Sequence, residues 1–322
     1  MTPFIVAEMS ANHLGSLVRA LKIVDAAADA GADLFKVQCW TRDTMCIDRT
    51  YTLTSGPWKG RKLFDLYREA HTPWEWLPAI FQRARDLGLI PFSAAFDRES
   101  VDFLESLGVD RHKVASFELV DLPLIRYMAS KGKPMILSTG MATVDEIAAA
   151  CAAAGDDWIT LLCTSAYPAD ASEAGLLTAE VCWGGERWGL SDHTPGIGVA
   201  CAAAALGASM IEKHLTISRA DGGLDAAFSL EPAEFKQLVT ECRRAAASIG
   251  EVKYGPTPGE STELRRSLWV KQHIQQGEFL ELGRNVCTAR PAKGLPCSTD
   301  LSGKRARWDL AAGVPLAAEM LA

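Results

Sequence analysis

The sequence predicts an α/β protein: a (β/α)8 barrel followed by a small, β-rich C-terminal module. Three observations predict it. Eight short apolar, β-branched runs alternate with longer helical patterns over about the first 250 residues. That alternation stops at YGPTPGEST (254–262), which carries two prolines and two glycines, has no periodic apolar face and reads as a linker. Beyond it come only short strand-like pieces, SLWVKQHI and GEFLELGRNVCTAR, with Gly277 and Gly283 as turn residues. A β-α order repeated eight times fits a closed barrel; from the pattern alone, a doubly wound open sheet is the alternative.

In order, the strands fall at 4–8, 34–39, 89–96, 112–117, 134–139, 158–165, 187–193 and 210–216. Helical periodicity fills 17–30, 75–87, 98–106, 122–130, 143–154, 196–207 and 231–247, with a weaker stretch near 174–182. Thr143 followed by Glu146 has the spacing of a capping box at the start of its helix. The segment 40–74, rich in Gly, Thr, Trp and Arg, is too long for an ordinary connection. It follows the second strand, so in a barrel it lies over the C-terminal face. The domain expectation is 1–253 for the barrel, 254–262 for the linker and 263–322 for the tail module.

The 322 residues suffice for two domains, and 48% hydrophobic with 23% charged residues excludes collagen, coiled coil and disorder. The net charge is −7, with nine basic and seven acidic residues after 255. The acidic barrel therefore has a slightly basic appendage, and a general nucleic-acid partner is not expected. So small a tail is marginal alone and is expected to dock on something. Nine cysteines form an odd set without Cys-x-x-Cys, mostly within apolar runs, so buried reduced thiols are expected. With no signal-peptide layout at the N-terminus and no apolar run near twenty residues, no membrane partner is expected and the location is taken as cytoplasmic.

Barrel active sites sit at the C-terminal ends of the strands, so polar residues there are the candidates. They are Glu8, Lys36 with Gln38, Ser93, Lys113 with Ser116 and Glu118, Ser138, Ser165 with Tyr167, Ser191 with Asp192 and His193, and Glu212 with His214. Parallel strands covered on both faces are normally near-continuously apolar, so a polar group on almost every strand needs a reason. By period two, Lys36 and Gln38 share a face, as do Ser116 and Glu118, and Glu212 and His214; Lys113 has the wrong parity to join Ser116. The lysines with the hydroxyls of Ser116, Ser138 and Ser191 are the donors that a small phosphate or carboxylate needs. His193 and His214 could share a divalent cation, with Glu8 reaching it through water. Each of these residues taken alone has a structural reading, as a satisfied histidine or a snorkelling lysine. Composition and spacing stop at a metal-assisted enzyme acting on a phosphorylated or carboxylated substrate.

The strings AEMSANH (7–13), FKVQ (35–38), HKVASFE (112–118), ILSTGM (136–141), CTSAYP (163–168), GLSDHT (189–194) and IEKHLT (211–216) resemble, in order, the signatures of the sialic acid synthase family. CTARPAKG (287–294) resembles the antifreeze-like (SAF) domain that ends such synthases. The resemblance implies condensation of phosphoenolpyruvate with an amino-sugar aldehyde to a nine-carbon ulosonic acid. It implies Mn²⁺ or Mg²⁺ on His193 and His214, and phosphoenolpyruvate on Lys36, Lys113, Ser116, Ser138, Ser191 and Tyr167. It places Glu118 and Asp225 (in GGLDAAFS) near the sugar, Glu8 at a proton transfer, and Arg290 over a partner's site in a domain-swapped homodimer. Within the family, ASFELVDLPL (115–124), SAYPA (165–169) and GPWKGRKLFDLYREAHTPWEW (56–76) resemble the pseudaminate branch, whose acceptor is 2,4-diacetamido-2,4,6-trideoxy-L-altrose. The legionaminic and N-acetylneuraminic branches are the alternatives. Tyr51, Trp58 and Arg61 are the candidates for reading N-acyl groups. One departure is Ala94, where the family usually carries a hydroxyl, with Ser93 a possible substitute. Ala94 is also the one feature favouring a non-catalytic carbohydrate-binding barrel.

Overall fold

The structure is a computed structural model that describes residues 2–183 and 188–322; Arg187, expected to open the seventh strand, and the side chains of 180–183 lie outside it. By contacts the chain divides into two compact units, Met1–Gly250 and Glu251–Ala322. The expected linker falls inside the second unit's first residues, and 251–266 are exposed throughout.

The first unit is a closed eight-stranded parallel barrel with its strands in sequence order. The strands are β1 (Phe4–Glu8), β2 (Leu34–Cys39), β3 (Ile90–Ala95), β4 (His112–Val114), β5 (Met135–Ser138), β6 (Trp158–Cys163), β7 (Trp188–Asp192) and β8 (Met210–His214). β1 closes the ring, with Glu8 in register with Lys36 on one side and His214 on the other. Helices α1 (Leu17–Ala30), α2 (Arg42–Met45), α3 (Leu63–Ala70), α4 (Leu77–Asp86), α5 (Arg98–Ser106), α6 (Leu122–Ala129), α7 (Val144–Ala154), α8 (Leu176–Trp183), α9 (Gly198–Ala205) and α10 (Pro232–Ser248) lie between and after the strands.

Local chemistry explains the boundaries. Ser16 caps α1 by accepting from the Arg19 amide, and Gly31 ends it at φ 86, where its N–H reaches the carbonyls of Ala27 and Ala28. Thr143 and Glu146 form the expected capping box on α7, and Asp97 with Ser100 forms another on α5. α10 opens on Pro232, whose missing N–H costs nothing in a first turn.

Two expectations change. β4 ends at Val114, after which Ser116–Glu118 make a 3-10 turn, so parity along one strand no longer relates Lys113 to Ser116. The segment 40–74, expected as a loop, holds α2, α3 and an isolated antiparallel bridge between Thr52 and Lys62. Thr41 and Thr44 cap α2 reciprocally, which only a local reading of that turn would have shown.

Period two sorts the strand residues. Outward, Ile5, Phe35, Val37, Leu137, Leu190 and Ile211 pack into the main core between sheet and helices. Inward, Val6, Leu34, Phe92, Ile136, Leu161 and Met210 form an apolar plug that fills the barrel. Gly189 belongs to this interior, and a Cβ there would stand 2.4 Å from the Met210 carbonyl oxygen and 2.6 Å from Leu161 Cδ2. Backbone cannot step aside cheaply, so Gly189→Ala should cost about 2 kcal/mol or more in urea denaturation.

The second unit pairs β9 (Ser267–Val270) antiparallel with β10 (Val286–Ala289). Its core is Leu268, Val270, Ile274, Leu280, Val286, Leu301, Leu310 and Leu316, joined by isolated bridges. No helix among the described residues is long and apolar enough to cross a membrane, and Cys39, Cys46, Cys163, Cys201, Cys242, Cys287 and Cys297 are not in disulfides.

Candidate active site

Two residues beyond the apolar plug on the same strands come Glu8, Lys36, Ala94, Ser138, Cys163 and Glu212, each facing inward by the same period. With Lys113 from β4 and Ser191 from β7, they make a polar layer directly above an apolar one. Lys36 Nζ lies 2.6 Å from Glu8 Oε2 and 3.3 Å from Glu212 Oε1. Glu212 Oε1 also accepts from Ser191 Oγ at 3.2 Å. Lys113 Nζ donates to Ser138 Oγ and to the Val114 carbonyl.

All four charged groups are buried, so their protonation follows from who faces whom. Burial opposes charge on Lys36, but Glu212 and Glu8 outweigh it and raise its pKa. Burial would raise Glu212, but Lys36 and Lys113 more than offset it and lower its carboxyl below the usual range. Glu8 has only Lys36 and is pushed up to about 7, chiefly by burial. Burial lowers the pKa of Lys113. Glu212, held low by the two lysines, is the firm negative charge of the layer and Lys36 its firm positive one, while burial pushes both Glu8 and Lys113 toward their neutral forms.

Above this layer opens a cavity of about 400 Å³, lined at its floor by Lys36, Lys113, Ser138, Ser191, Glu212 and Cys163. His193 and His214 stand on its wall with ring centroids 5.3 Å apart, and Phe228 packs edge-on to both. His193 Nδ1 is 3.1 Å from the Thr164 carbonyl, which can only accept. In its neutral form the ring therefore carries its proton on Nδ1 and leaves the Nε2 lone pair available, while Cys163 and the Thr164 carbonyl raise its pKa against the opposing effect of burial. His214 is buried, its pKa is driven well down by burial and by His193, and its Nδ1 is buried without a hydrogen-bond partner. Two neighbouring imidazoles on one cavity wall, His214 held neutral by burial, are a donor pair that fits a divalent cation. Among the described residues no group of three or more His, Cys, Asp or Glu side chains is placed to hold a metal ion.

The NeuB family model matches residues 23–254. The chain belongs to the NeuB family. It is 38% identical to the pseudaminic acid synthase of Helicobacter pylori, across 98% of this chain and 97% of that protein. It is 37% identical to the pseudaminic acid synthase of Campylobacter jejuni strain 81-176, across 96% and 94%. Among solved structures, the N-acetylneuraminic acid synthetase of Leptospira borgpetersenii, in complex with citrate, aligns with a TM-score of 0.73 and 30% identity, over 80% of this chain and 88% of that one.

In this NeuB-family barrel most of the expected residues gather on one cavity. Lys36, Gln38, Lys113, Ser116, Glu118, Ser138, Tyr167, Ser191, His193, His214 and Asp225 all line it. Tyr167 packs on His193 with centroids 4.4 Å apart. Asp225 accepts from the Ala11 amide at 3.2 Å, and burial raises its carboxyl. Glu118 is pushed up to about 7 by burial, and its Oε2 has no partner. Gly140 is required where it stands, because a Cβ would meet Ser165 Oγ at 2.1 Å and Ser116 Oγ at 2.8 Å.

Others fall elsewhere. Ser93 has the outward parity of β3 and spends its hydroxyl on the carbonyls of Val37 and Ala94, so it does not replace the missing hydroxyl. Glu8 is fully buried against Lys36 and is not a lining residue. Ser165 lies 3.6 Å from Cys163 Sγ, beside the cavity. Arg290 is exposed in the second unit, directly after β10. Tyr51 is half exposed, Arg61 pairs with Glu69 at 2.5 Å, and only Trp58 of that trio lines the cavity. Asp192 points outward and forms a fully buried pair with Lys213 at 2.6 Å, between the two histidine-bearing strands.

Glu212, a candidate from its period-two relation to His214, also lines the cavity. Cys163, which sits 3.8 Å from His193 Nδ1 and is brought to about 7 by His193, Ser116 and Ser165 against the opposing effect of burial, carried no such signal. Asn12 and His13 are structural: Asn12 donates to the Leu215 carbonyl and to Ser229, while His13 joins the Gly15 amide to Thr72.

Two measurements follow. Lys213→Met strands the buried Asp192 carboxylate and should cost about 3–5 kcal/mol in chemical denaturation, largely recovered in the Lys213→Met/Asp192→Leu pair. A Glu118 value raised from 4.5 to about 7 means that its protonated form supplies stability below pH 4.5 which is lost as pH rises through 7. Glu118→Gln should therefore gain stability over the parent between pH 5 and pH 8, by on the order of 3 kcal/mol at most.

Proposed function

We propose that this chain is a phosphoenolpyruvate-dependent nonulosonic acid synthase that makes pseudaminic acid from a diacetamido-trideoxy-altrose acceptor and water, releasing phosphate. The observation that carries this reading is the floor of the cavity. Two lysines and two hydroxyls, the donors that an anion needs, line it beside two neighbouring imidazoles. The full-length similarity to two pseudaminic acid synthases supports the acceptor.

Lys36, Lys113, Ser138 and Ser191 hold the carboxylate and phosphate of phosphoenolpyruvate and fix its C3 against the acceptor, an orientation effect. His193 and His214 hold a divalent cation, Mn²⁺ or Mg²⁺, which when bound supplies Lewis-acid polarisation of the aldehyde oxygen. Attack by C3 on the aldehyde carbon forms the new C–C bond. Asp225, whose burial favours the protonated form, gives its proton to the developing alkoxide. Water adds at C2 and gives its proton to Glu118, whose value near 7 suits a base at neutral pH. The C2 hydroxyl then collapses to the C2=O ketone as the C2–O bond to phosphate breaks, and its proton leaves on the phosphate. Glu8 acts through Lys36, as a positioning residue. Tyr167 and Phe228 wall the imidazoles from bulk water. The accompanying homodimer rests on the motif resemblance and on Arg290 in the small second unit; light scattering on the purified chain reads it directly.

Product mass spectrometry with phosphoenolpyruvate, Mn²⁺ and the competing acceptor sugars tests the reading. A nine-carbon product from the altrose sugar, lost with EDTA, is expected, and His193→Ala or His214→Ala should lower the rate more than about a hundredfold. Product from a legionaminic precursor or from N-acetylmannosamine alone would move the chain to another branch. Unchanged activity of His193→Ala in EDTA would remove the metal from the scheme.

A further inference from the structure

The cavity has two ends of different chemistry. The floor carries the charges and hydroxyls already described. The opposite wall comes from the insertion after β2, through Met45, Leu53, Trp58, Leu63 and Leu66. This insertion folds back on itself as a hairpin: the Gly60 amide donates to the Leu53 carbonyl at 2.8 Å, Leu53 to Arg61 at 2.9 Å, and Leu63 to Tyr51 at 3.0 Å. Its tip turns through Gly56 at φ 77 and Gly60 at φ 84, conformations that glycine adopts without strain. From that tip the Trp58 side chain joins the cavity lining. Its Nε1–H donates to the Leu224 carbonyl at 3.2 Å, next to Asp225, and its ring packs 5.8 Å from that of Tyr167.

Resting on the reading of the site as a synthase, we infer that the hairpin 51–63 is the wall that selects the acceptor sugar, with Trp58 as its specificity-determining residue, and that it selects for methyl-bearing sugars, deoxygenated and N-acylated. The anionic substrate takes the donors at the floor, so the acceptor must lie against the apolar end. A hydroxyl-rich sugar buried there would leave its hydroxyls unpaired, whereas methyl groups on a deoxy carbon and on acetamides bury favourably against indole and leucine. The indole N–H is spent on Leu224, so the face it offers the sugar is apolar. That bond also ties the wall to the loop carrying Asp225, which sets sugar recognition beside the proton donor.

Steady-state kinetics on the full chain, with each substrate varied, test this in Trp58→Phe, Trp58→Ala and Leu53→Asn. Trp58→Phe keeps a ring but loses the anchor, and should raise the acceptor KM about threefold. Trp58→Ala should raise it about tenfold or more, with the phosphoenolpyruvate KM within about twofold of the parent. The preference for the trideoxy sugar over N-acetylmannosamine, as a ratio of kcat/KM, should fall in parallel. Leu53→Asn leaves the Trp58 anchor in place and should show the same split, which guards against misfolding of the tryptophan variants. An unchanged acceptor KM in both Trp58→Ala and Leu53→Asn, or an equal rise in both KM values, overturns the wall. Calorimetric titration of the trideoxy sugar into the chain with EDTA present reads binding without turnover. Loss of that binding in Trp58→Ala supports the wall even if the parent yields no product, an outcome that would sink the synthase reading alone. Equal binding by parent and Trp58→Ala overturns the wall and leaves that reading standing.

Discussion

Four ionisable side chains, Glu8, Lys36, Lys113 and Glu212, are buried together inside one barrel, and their mutual compensation is the constraint around which the first unit is arranged. An isolated ion in such a place would cost several kcal/mol in lost hydration. Here the strand period decides that it is not isolated: inward positions meet inside the barrel, so Lys36 stands beside Glu8 of the neighbouring β1 and also reaches Glu212 of β8, one strand further round. The apolar plug immediately below keeps water from the underside and leaves the layer open only toward the mouth. The same low-dielectric setting that makes these charges expensive makes their hold on an incoming anion strong.

The loops above inherit their positions from that layer. The 3-10 turn after β1 is held by Asn12 against the strand-like segment after β8, and Asp225 is fixed by a backbone amide of the same turn. The outward Lys213–Asp192 pair braces the ends of β7 and β8, where the two histidines stand. Rigid strand ends carry the charges and imidazoles, while the insertion after β2 supplies shape. On the proposed function, this division would separate the chemistry from the choice of acceptor, so that one could vary without the other.

Much of this was legible in the sequence because parallel strands and amphipathic helices leave plain periods. All eight strands fall within a few residues of their expected places, and the capping box at Thr143 sits where its spacing put it. Strand-end polarity led to the lysines and histidines for the same reason. What failed was local. Ser93 looked eligible because composition does not show parity unless the inward set is known, and Phe92 settles that it faces out. Ser116 joins Lys113 only because β4 stops early and turns, which no periodicity announces. Phe228 lies in a segment without a period at all, and an aromatic residue there shows its place only once the rim has closed around it. Motif resemblance reached Asp225 where spacing could not.

The closure of the barrel by β1 against β8 has a consequence in time as well as in space. Phe4–Glu8 pairs with Met210–His214, more than two hundred residues away along the chain. Contacts of such long sequence separation form late, because the intervening loop must be ordered before they return any stabilisation. Until β8 arrives, Lys36 lacks Glu212 and His193 lacks His214. A nascent or nicked chain that stops short of residue 214 carries most of the barrel's apolar surface but none of the completed site. Assembly of the site and completion of the fold are thus one event, and a chain that has not finished folding has no partial activity to offer.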